Sequence, residues 1–563
     1  MIRDILEKHQ ASRSLPRPQT VLDRKAKGFL LDPRPFSKLV LQKPLRGYQL
    51  APIHAILDSV INCRGLEFLL IFPRQSGKNE AIAQLLAYLL NLLQRSGGNV
   101  IYGATGNGLG MGIERLEDRL ENPWNQGLWS KRSKPPRRCL GRACVAFLST
   151  HPMASARGQT AHHLLVIDEA QDQDGPHIEA VFTPMRAANN ATAVYIGTVK
   201  LTTDFLWTKK LELERETGGD AVRRVFLVKP EQVTAEVAAY QSFLDAQIRK
   251  HGRHHPIVAS EYFLEPIDGA GGLFPPRRRA LMHGQHPRLQ GPQAGELYVA
   301  TLDVAGEDEA ATDPIARLAH PGRDYTVGTI FRVRWPPLGT YSPGPTYEAI
   351  DVFVDHGSKH FDATAVGAHG GAPTGAPLVH RLAAWLEHWQ VAHLVADASG
   401  VGQGLVSWLA AALGSHRVTG FDFSGRGRKA RLGSMFLSLV ETGRFKYWGY
   451  DPVLGESPEC ASTGDSPVRV AFSDAAWFWR QVEACTYEVP PDGQFDRDLR
   501  WEVPASHRTP VPGGRPVPTH DDRLLSVAMI AELDRLVREC RIALGSAESA
   551  IIRPRDPLTD LHY

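Results

Sequence analysis

The chain has 563 residues, more than one hydrophobic core accommodates, and its length points to two to four domains. Hydrophobic residues make up 43% and charged residues 22%, and the formal net charge of +3 excludes a general polycation, so any nucleic-acid surface must come from local basic clusters. The six cysteines (Cys63, Cys139, Cys144, Cys460, Cys485, Cys540) contain no CxxC pair, so neither a zinc ribbon nor a disulfide framework is expected, and a reducing cytoplasm fits.

The opening segment MIRDILEKHQASRS has no apolar run and does not read as a signal peptide. The longest apolar stretch, 81–93, is interrupted by Gln84, Tyr88 and Asn91 and is too short to span a bilayer, so a soluble protein without membrane contact is expected. Residues 1–45, with prolines at 16, 18, 33 and 35, read as an N-terminal arm. Over 46–228, the apolar runs 66–72, 99–104, 163–168 and 193–198 read as buried parallel strands with helices between them, an α/β sheet. Residues 229–295 read as a connector, with a helix at 234–250 followed by HGRHHP and the Gly- and Pro-rich GAGGLFPPRRR. A second strand series follows at 297–306, 325–335, 347–357, 393–400 and 417–424, with helices at 376–390, 403–413, 430–442 and 521–538. It fills a second domain over 296–540, in which 451–470 and 504–518 read as loops, and 541–563 is a C-terminal tail.

The first chemical site follows the strand 66–72. Pro73-Arg74-Gln75-Ser76-Gly77-Lys78-Asn79 leads into a helical run, the strand–loop–helix context of a phosphate-binding loop. Backbone N–H groups of Gln75, Ser76 and Gly77 and the helix start can face phosphates, and Lys78 can reach the β and γ oxygens of ATP. The motif departs from GxxxxGK[ST]: Phe72 replaces the first glycine, and Asn79 replaces the hydroxyl residue that ordinarily meets Mg2+. The strand 163–168 ends in Asp168-Glu169, where Asp168 can hold Mg2+ and Glu169 can orient the attacking water. Tyr48-Gln49 has two open readings, stacking on and hydrogen-bonding an adenine, or packing on the core where the chain enters the domain. Gly197-Thr198 is either a γ-phosphate sensor or a turn. Arg157 is either a charge supplied to a phosphate or a surface residue.

The second site is a set of carboxylates. Asp303 lies on the first strand of the second series, Asp397 ends the fourth, and Asp521-Asp522 opens the last helix. A ribonuclease-H-like fold brings such positions together because its strands one and four are neighbours. Clustered carboxylates repel one another, which divalent Mg2+ or Mn2+ relieves, and two ions about 4 Å apart can drive phosphodiester hydrolysis. The alternative for each acid is a turn or a helix cap. Which of Asp521 and Asp522 binds metal stays open, as does any part for Asp324. Basic clusters at Arg132, Lys134, Arg137 and Arg138, at Arg277 to Arg279, and at Arg426, Arg428, Lys429 and Arg431 suit a DNA path or a solvated surface.

Together PRQSGKNE, ARGQTAHHLLVIDEAQ, IGT, SEYFLEPIDGAGGLF, LDVAG, VADASGVG and HDDRLLSVAM resemble the large subunit of tailed-bacteriophage terminases, prophage copies included, over about 46–533. The resemblance implies a P-loop ATPase domain with a parallel-rich sheet, then a ribonuclease-H-like mixed α/β nuclease domain. It implies ATP-driven translocation of double-stranded DNA into a procapsid and metal-dependent cutting at initiation and termination. It also implies a portal protein and a small terminase subunit as partners. On this resemblance Lys78 and Arg74 contact phosphate, Asp168 and Glu169 serve Mg2+ and water, and Arg157 is a finger acting in a neighbouring subunit. A monomer or weak oligomer that forms a ring only when docked on the portal, in the host cytoplasm and outside the mature virion, is expected. Two other classes remain in view: a helicase-type ATPase with a fused nuclease, which needs a second RecA-like domain, and a degenerate scaffold that binds DNA or portal without turnover.

Overall fold

The computed structural model describes residues 30, 32–154, 156–305, 325–337, 342–355, 360–361, 376–452, 473–490, 493–510, 516–542 and 544. Asp324 and nearly all of the predicted loop 451–470 and tail 541–563 lie outside them. The chain divides into two compact units, one running up to Ile248 and including Pro256–Gly269, the other formed by Arg249–His255 and everything from Ala270 onward. This differs from a separate connector over 229–295. That stretch holds the helices Pro230–Glu236, Ala238–His251, Pro256–Glu261 and Pro276–Met282, and its residues are shared between the two units.

The first unit is built on an eight-stranded sheet of β1 (Glu67–Ile71), β2 (Gly98–Ala104), β3 (Trp129–Ser133), β4 (Pro136–Leu140), β5 (Ala143–Ser149), β6 (Leu164–Ile167), β7 (Thr192–Gly197) and β8 (Val225–Leu227). Its order is β3-β4-β5-β2-β6-β7-β1-β8, parallel from β5 to β8 and antiparallel only at the β3–β4–β5 edge. Helices α1 (Gly47–Ile61), α2 (Lys78–Leu93), α3 (Gly106–Leu120) and α4 (Phe205–Asp220) accompany it. Side chains alternate between two cores: Phe68 and Leu70 join α1 and α2 residues in one, while Leu69 and Ile71 join Leu206 and Leu213 of α4 in the other. A strand buried on both faces must be apolar throughout, which is why β1, β2, β6 and β7 stand out in the sequence.

Two expectations are corrected here. The arm 1–45 is not free of the domain over its last part, because Phe36, Val40 and Leu41 are buried in the first core and Phe36 meets Tyr88 edge-on at 5.2 Å. Cys139 and Cys144, paired across β4 and β5, form a disulfide, against the expectation of none. Three cysteines are free among the described residues: Cys63, Cys485 and Cys540.

The second unit carries a six-stranded sheet of β10 (Leu297–Asp303), β11 (Thr326–Arg334), β12 (Thr346–Asp355), β13 (His393–Asp397), β14 (Val418–Phe421) and β15 (Phe445–Tyr447). The order is β14-β13-β10-β11-β12-β15, with β11 antiparallel to both neighbours. Its first five strands, numbered within this series, read 5-4-1-2-3, the ribonuclease-H-like arrangement expected from the acids. This sheet is not RecA-like, so the second RecA-like domain that the helicase reading needs is not found among the described residues. Helices α5 (Leu378–His388) and α6 (Gly402–Leu413) build a core on Tyr298, Ala300 and Leu302. Helices α7 (Arg428–Glu441), α8 (Asp474–Ala484), α9 (Asp522–Ala528) and α10 (Ile530–Arg538) complete the unit, and Ser526 of α9 bonds Thr329 of β11 at 2.9 Å. A smaller sheet pairs β16 (Thr486–Glu488) with β9 (Ala270–Gly272) and β17 (Arg500–Glu502), and a two-stranded pair β18 (Arg508–Thr509) and β19 (Val517–Pro518) lies within the predicted loop 504–518.

Candidate functional site

Parallel strands put their C-terminal ends on one edge of a sheet, where α/β folds bind ligands. β1 leads into the Gly77-Lys78 loop, β6 into Asp168-Glu169, and β7, which lies between them, into Thr198. Gln75 has φ +63° and Gly77 φ +90°; the left-handed conformation at Gly77 starts α2 at Lys78. The Lys78 Nζ donates to Glu169 Oε2 at 2.7 Å, joining two motifs 91 residues apart. Ser76 is buried, and its hydroxyl donates to the Pro73 carbonyl at 2.6 Å.

Tyr48 and Gln49 brace this loop. The Tyr48 hydroxyl donates to Ser76 O at 2.7 Å and Gln49 Nε2 to Gly77 O at 2.9 Å. Tyr48 is 7% exposed and edge-on to Phe72, so the stacking reading is corrected: its ring packs on the core and its hydroxyl holds the loop. Tyr48→Phe should therefore lower stability by about 1 kcal/mol, the typical net value of such a bond, measurable by denaturant unfolding. Arg74 is held by residues far along the chain. Its Nη1 donates to both carboxylate oxygens of Glu261 at 2.7 Å, and its carbonyl accepts from Tyr240 OH at 2.9 Å. The Thr198 hydroxyl donates to Phe72 O at 3.1 Å, tying β7 to the loop. Arg157 is exposed.

Asp168 is 2% exposed. Its Oδ2 accepts from the Tyr102 hydroxyl and its Oδ1 from Glu169 N at 2.8 Å. Burial pushes its carboxyl above the usual range, although the Lys78 charge opposes this. Glu169 goes the other way: burial raises it, but the Lys78 ammonium and the Gln171 amide outweigh burial and hold it below its ordinary value. Gln171 donates to Glu169 Oε2 at 2.8 Å and accepts from Thr198 N at 3.2 Å, so one side chain links the acid to the end of β7. Sequence reasoning misses both Gln171 and Tyr102; the signals are a polar residue two places past the acid and a tyrosine inside an apolar strand. The Oδ1 of Asn79 is buried with no hydrogen-bond partner, an oxygen donor of the kind a divalent cation takes.

In the second unit β10 and β13 pair in parallel with Leu302 opposite Ala396, so Asp303 and Asp397 follow side by side on adjacent strands. Asp397 Oδ1 accepts Ser399 N at 2.8 Å, and burial, with Asp422 nearby, pushes its carboxyl up against the Ser399 bonds. Asp422, just after β14, is a further acid at this edge that sequence reasoning misses. Asp522 is 3% exposed and accepts the Tyr325 N–H at 3.0 Å, ahead of β11 and beside β10. Asp521 instead accepts from Lys429 Nζ at 3.2 Å. All these donors are carboxylate oxygens and suit Mg2+ or Mn2+ in kind. Yet no three His, Cys, Asp or Glu side chains stand close enough to hold an ion among the described residues, so a cation would have to gather them.

Most of the basic clusters are engaged in ion pairs. Arg138 pairs with Glu117 at 2.5 Å, Arg277 and Arg278 with Glu441 at 2.8 and 2.7 Å, and Arg279 with Glu483 at 2.6 Å. Arg426 and Lys429 line a cavity of about 990 Å³ with Arg497 and Arg500, against Glu488, Asp498 and Glu502. No helix of the described residues is long and apolar enough to cross a membrane.

A nucleotide-type loop facing an acid pair in one unit, and a ribonuclease-H-like sheet carrying aligned aspartates in the other, define the class as a two-unit α/β chain with two separate polar sites. No family model and no curated protein matches the chain. Among solved structures it is similar to the HK97 bacteriophage large terminase, at 14% identity over 90% of this chain and 99% of that one, TM-score 0.36. It is similar also to the large terminase of a thermophilic bacteriophage, at 10% identity over 87% and 99%, TM-score 0.40. A third similarity is to the magnesium-bound large terminase nuclease of the thermophilic phage G20c, at 14% identity over 46% and 96%, TM-score 0.28. Likenesses this distant do not decide an activity.

Proposed function

We propose that the chain is the large subunit of a viral DNA-packaging motor, hydrolysing ATP in its first unit and cutting double-stranded DNA in its second. The observation that carries the reading is the 2.7 Å contact between Lys78 and Glu169 at the shared edge of β1 and β6, in a chain whose other sheet sets Asp303 beside Asp397. In the first unit Lys78 and the loop N–H groups would hold phosphates, Asp168 and the unpaired Asn79 oxygen would hold Mg2+, and Glu169 would orient water. The ion supplies charge neutralisation at the phosphates. Lys78 and Glu169 satisfy each other as they stand; a phosphate drawing off the ammonium would free the Glu169 carboxylate. In the second unit Asp303, Asp397 and Asp522 or Asp521 would hold the cations of hydrolysis.

Portal, small subunit, the ring formed on docking and Arg157 acting in trans belong to the same proposal, as does a place in the host cytoplasm. ATP turnover with and without DNA, together with plasmid cleavage in Mg2+ or Mn2+, tests it. No turnover under either condition supports the degenerate scaffold instead. DNA binding by the isolated chain should be weak, sequence-tolerant and steeply reduced by salt, because most of the clustered arginines are already paired and backbone contacts act by counterion release. Tight binding that survives high salt in a fluorescence titration contradicts this.

A further inference from the structure

We propose that Tyr102 is a positioning residue for the divalent cation of the first site, fixing Asp168 in the orientation from which it binds metal. The inference rests on the nucleotide-hydrolase reading of that site. Tyr102 lies on β2 opposite Val166 of β6, and Gly103 lies opposite Ile167, so Asp168 begins one residue beyond the paired strand. The phenolic hydroxyl donates to Asp168 Oδ2, and both side chains are buried, at 3% and 2% exposure. Asp168 Oδ1 takes the Glu169 N–H at 2.8 Å, and the Asp168 carbonyl takes Gln173 Nε2 at 2.7 Å. Each carboxylate oxygen therefore has one protein donor and keeps lone-pair capacity for a cation. Fixing a ligating carboxylate through a second hydrogen-bonded group is what sets its orientation and the affinity of a metal site.

The ring has its own support. Phe147 of β5 packs against it at 5.3 Å between centroids, and α3 closes the other side at Gly112. A Cβ at Gly112 would lie 2.7 Å from Tyr102 Cε1 and 2.9 Å from both Cζ and the hydroxyl oxygen. In the same helix Gly106 and Gly110 have nothing within 4 Å of such a carbon, so close packing demands glycine at 112 but not at those two. A methyl at Gly112 would push the ring, and with it the hydroxyl, off Asp168. Helix α3 thereby controls a carboxylate that it does not bond.

The test is the ADP-dependent part of Mn2+ binding by the full chain, read by electron paramagnetic resonance as the difference between titrations with and without ADP so that ions held by the second unit cancel, with ADP binding in EDTA measured alongside. Tyr102→Phe keeps the ring and removes the hydroxyl; Gly112→Ala keeps the hydroxyl and displaces the ring. Both should weaken Mn2+ binding about tenfold. Metal-free ADP affinity should be unchanged, and raised Mg2+ should restore part of the ATP turnover. Tyr195→Phe is the control, since Tyr195 is another fully buried phenol of this unit whose hydroxyl has no partner, and it should leave Mn2+ binding unchanged. Wild-type Mn2+ affinity in Tyr102→Phe overturns the proposal. So does an equal loss in Tyr195→Phe, or a parallel loss of metal-free ADP binding, either of which marks a general packing defect. A wild-type chain that binds neither ADP nor Mn2+–ADP overturns the nucleotide reading itself.

Discussion

Replacing Lys78 with alanine should abolish ATP turnover and leave metal-dependent nicking of plasmid DNA in place. Lys78 is the loop cation that meets the acid pair, and losing a donor aimed at developing phosphate charge costs on the order of a hundredfold or more in rate. The acids proposed to carry nicking stand in the other compact unit, which has its own sheet and core. The variant also strips Glu169 of its ion-pair partner at 2.7 Å. With that charge gone, burial is the main influence left on Glu169, and its carboxyl moves up from its lowered position. The lowered carboxyl of the wild type contributes stability above the unfolded value near pH 4.3 and loses it as pH falls through the folded value. The stability gap between wild type and variant, about 1 kcal/mol at neutral pH, should therefore close in acid. Denaturant unfolding at several pH values checks this, and turnover and nicking are assayed on the same preparations. A folded variant that loses both activities together counts against independent sites.

Most strands buried on both faces are legible in the sequence, although β5, equally buried, is missed, and the partly exposed β12 and β14 are read as well. β1, β2, β6, β7, β10, β11 and β13 all appear as apolar runs because helices cover both faces of their sheets. β3 and β4 do not, since an exposed hairpin edge carrying Lys131, Arg132 and Arg137 resembles a loop. Cys139 and Cys144 lack CxxC spacing, but a hairpin turning at Gly141 sets them opposite each other. The site is legible where motif and strand end coincide, at Lys78, Asp168 and Glu169. It is illegible where partners are far apart in the chain: Arg74 with Glu261, Tyr102 with Asp168, Lys429 with Asp521. Composition and spacing carry no record of a pair that only tertiary packing creates.

Asp397→Asn should eliminate plasmid cleavage and leave the fold at least as stable at neutral pH. Asp397 ends β13 beside Asp303, is 8% exposed, and has Asp422 nearby. Burial, then the neighbouring charge, raises its carboxyl against the Ser399 hydrogen bonds, so the ionised form costs the folded state free energy. That cost is absent below the unfolded value near pH 3.9 and grows as pH rises through the folded value. Asparagine removes the charge and can keep the Oδ1 acceptor for Ser399 N, at 2.8 Å in the wild type, so the turn survives. Asp397→Ala loses that acceptor and should cost about 1 kcal/mol, as turn and cap residues do. The amide, however, is a far poorer cation ligand than the carboxylate, and the ions of phosphodiester hydrolysis need their bridging oxygens. Metal-free melts at pH 7 and pH 4, paired with Mn2+ cleavage assays, separate the two effects. A variant that melts lower than wild type yet cuts at the wild-type rate would make Asp397 a turn residue, and the nuclease reading would lose its central acid.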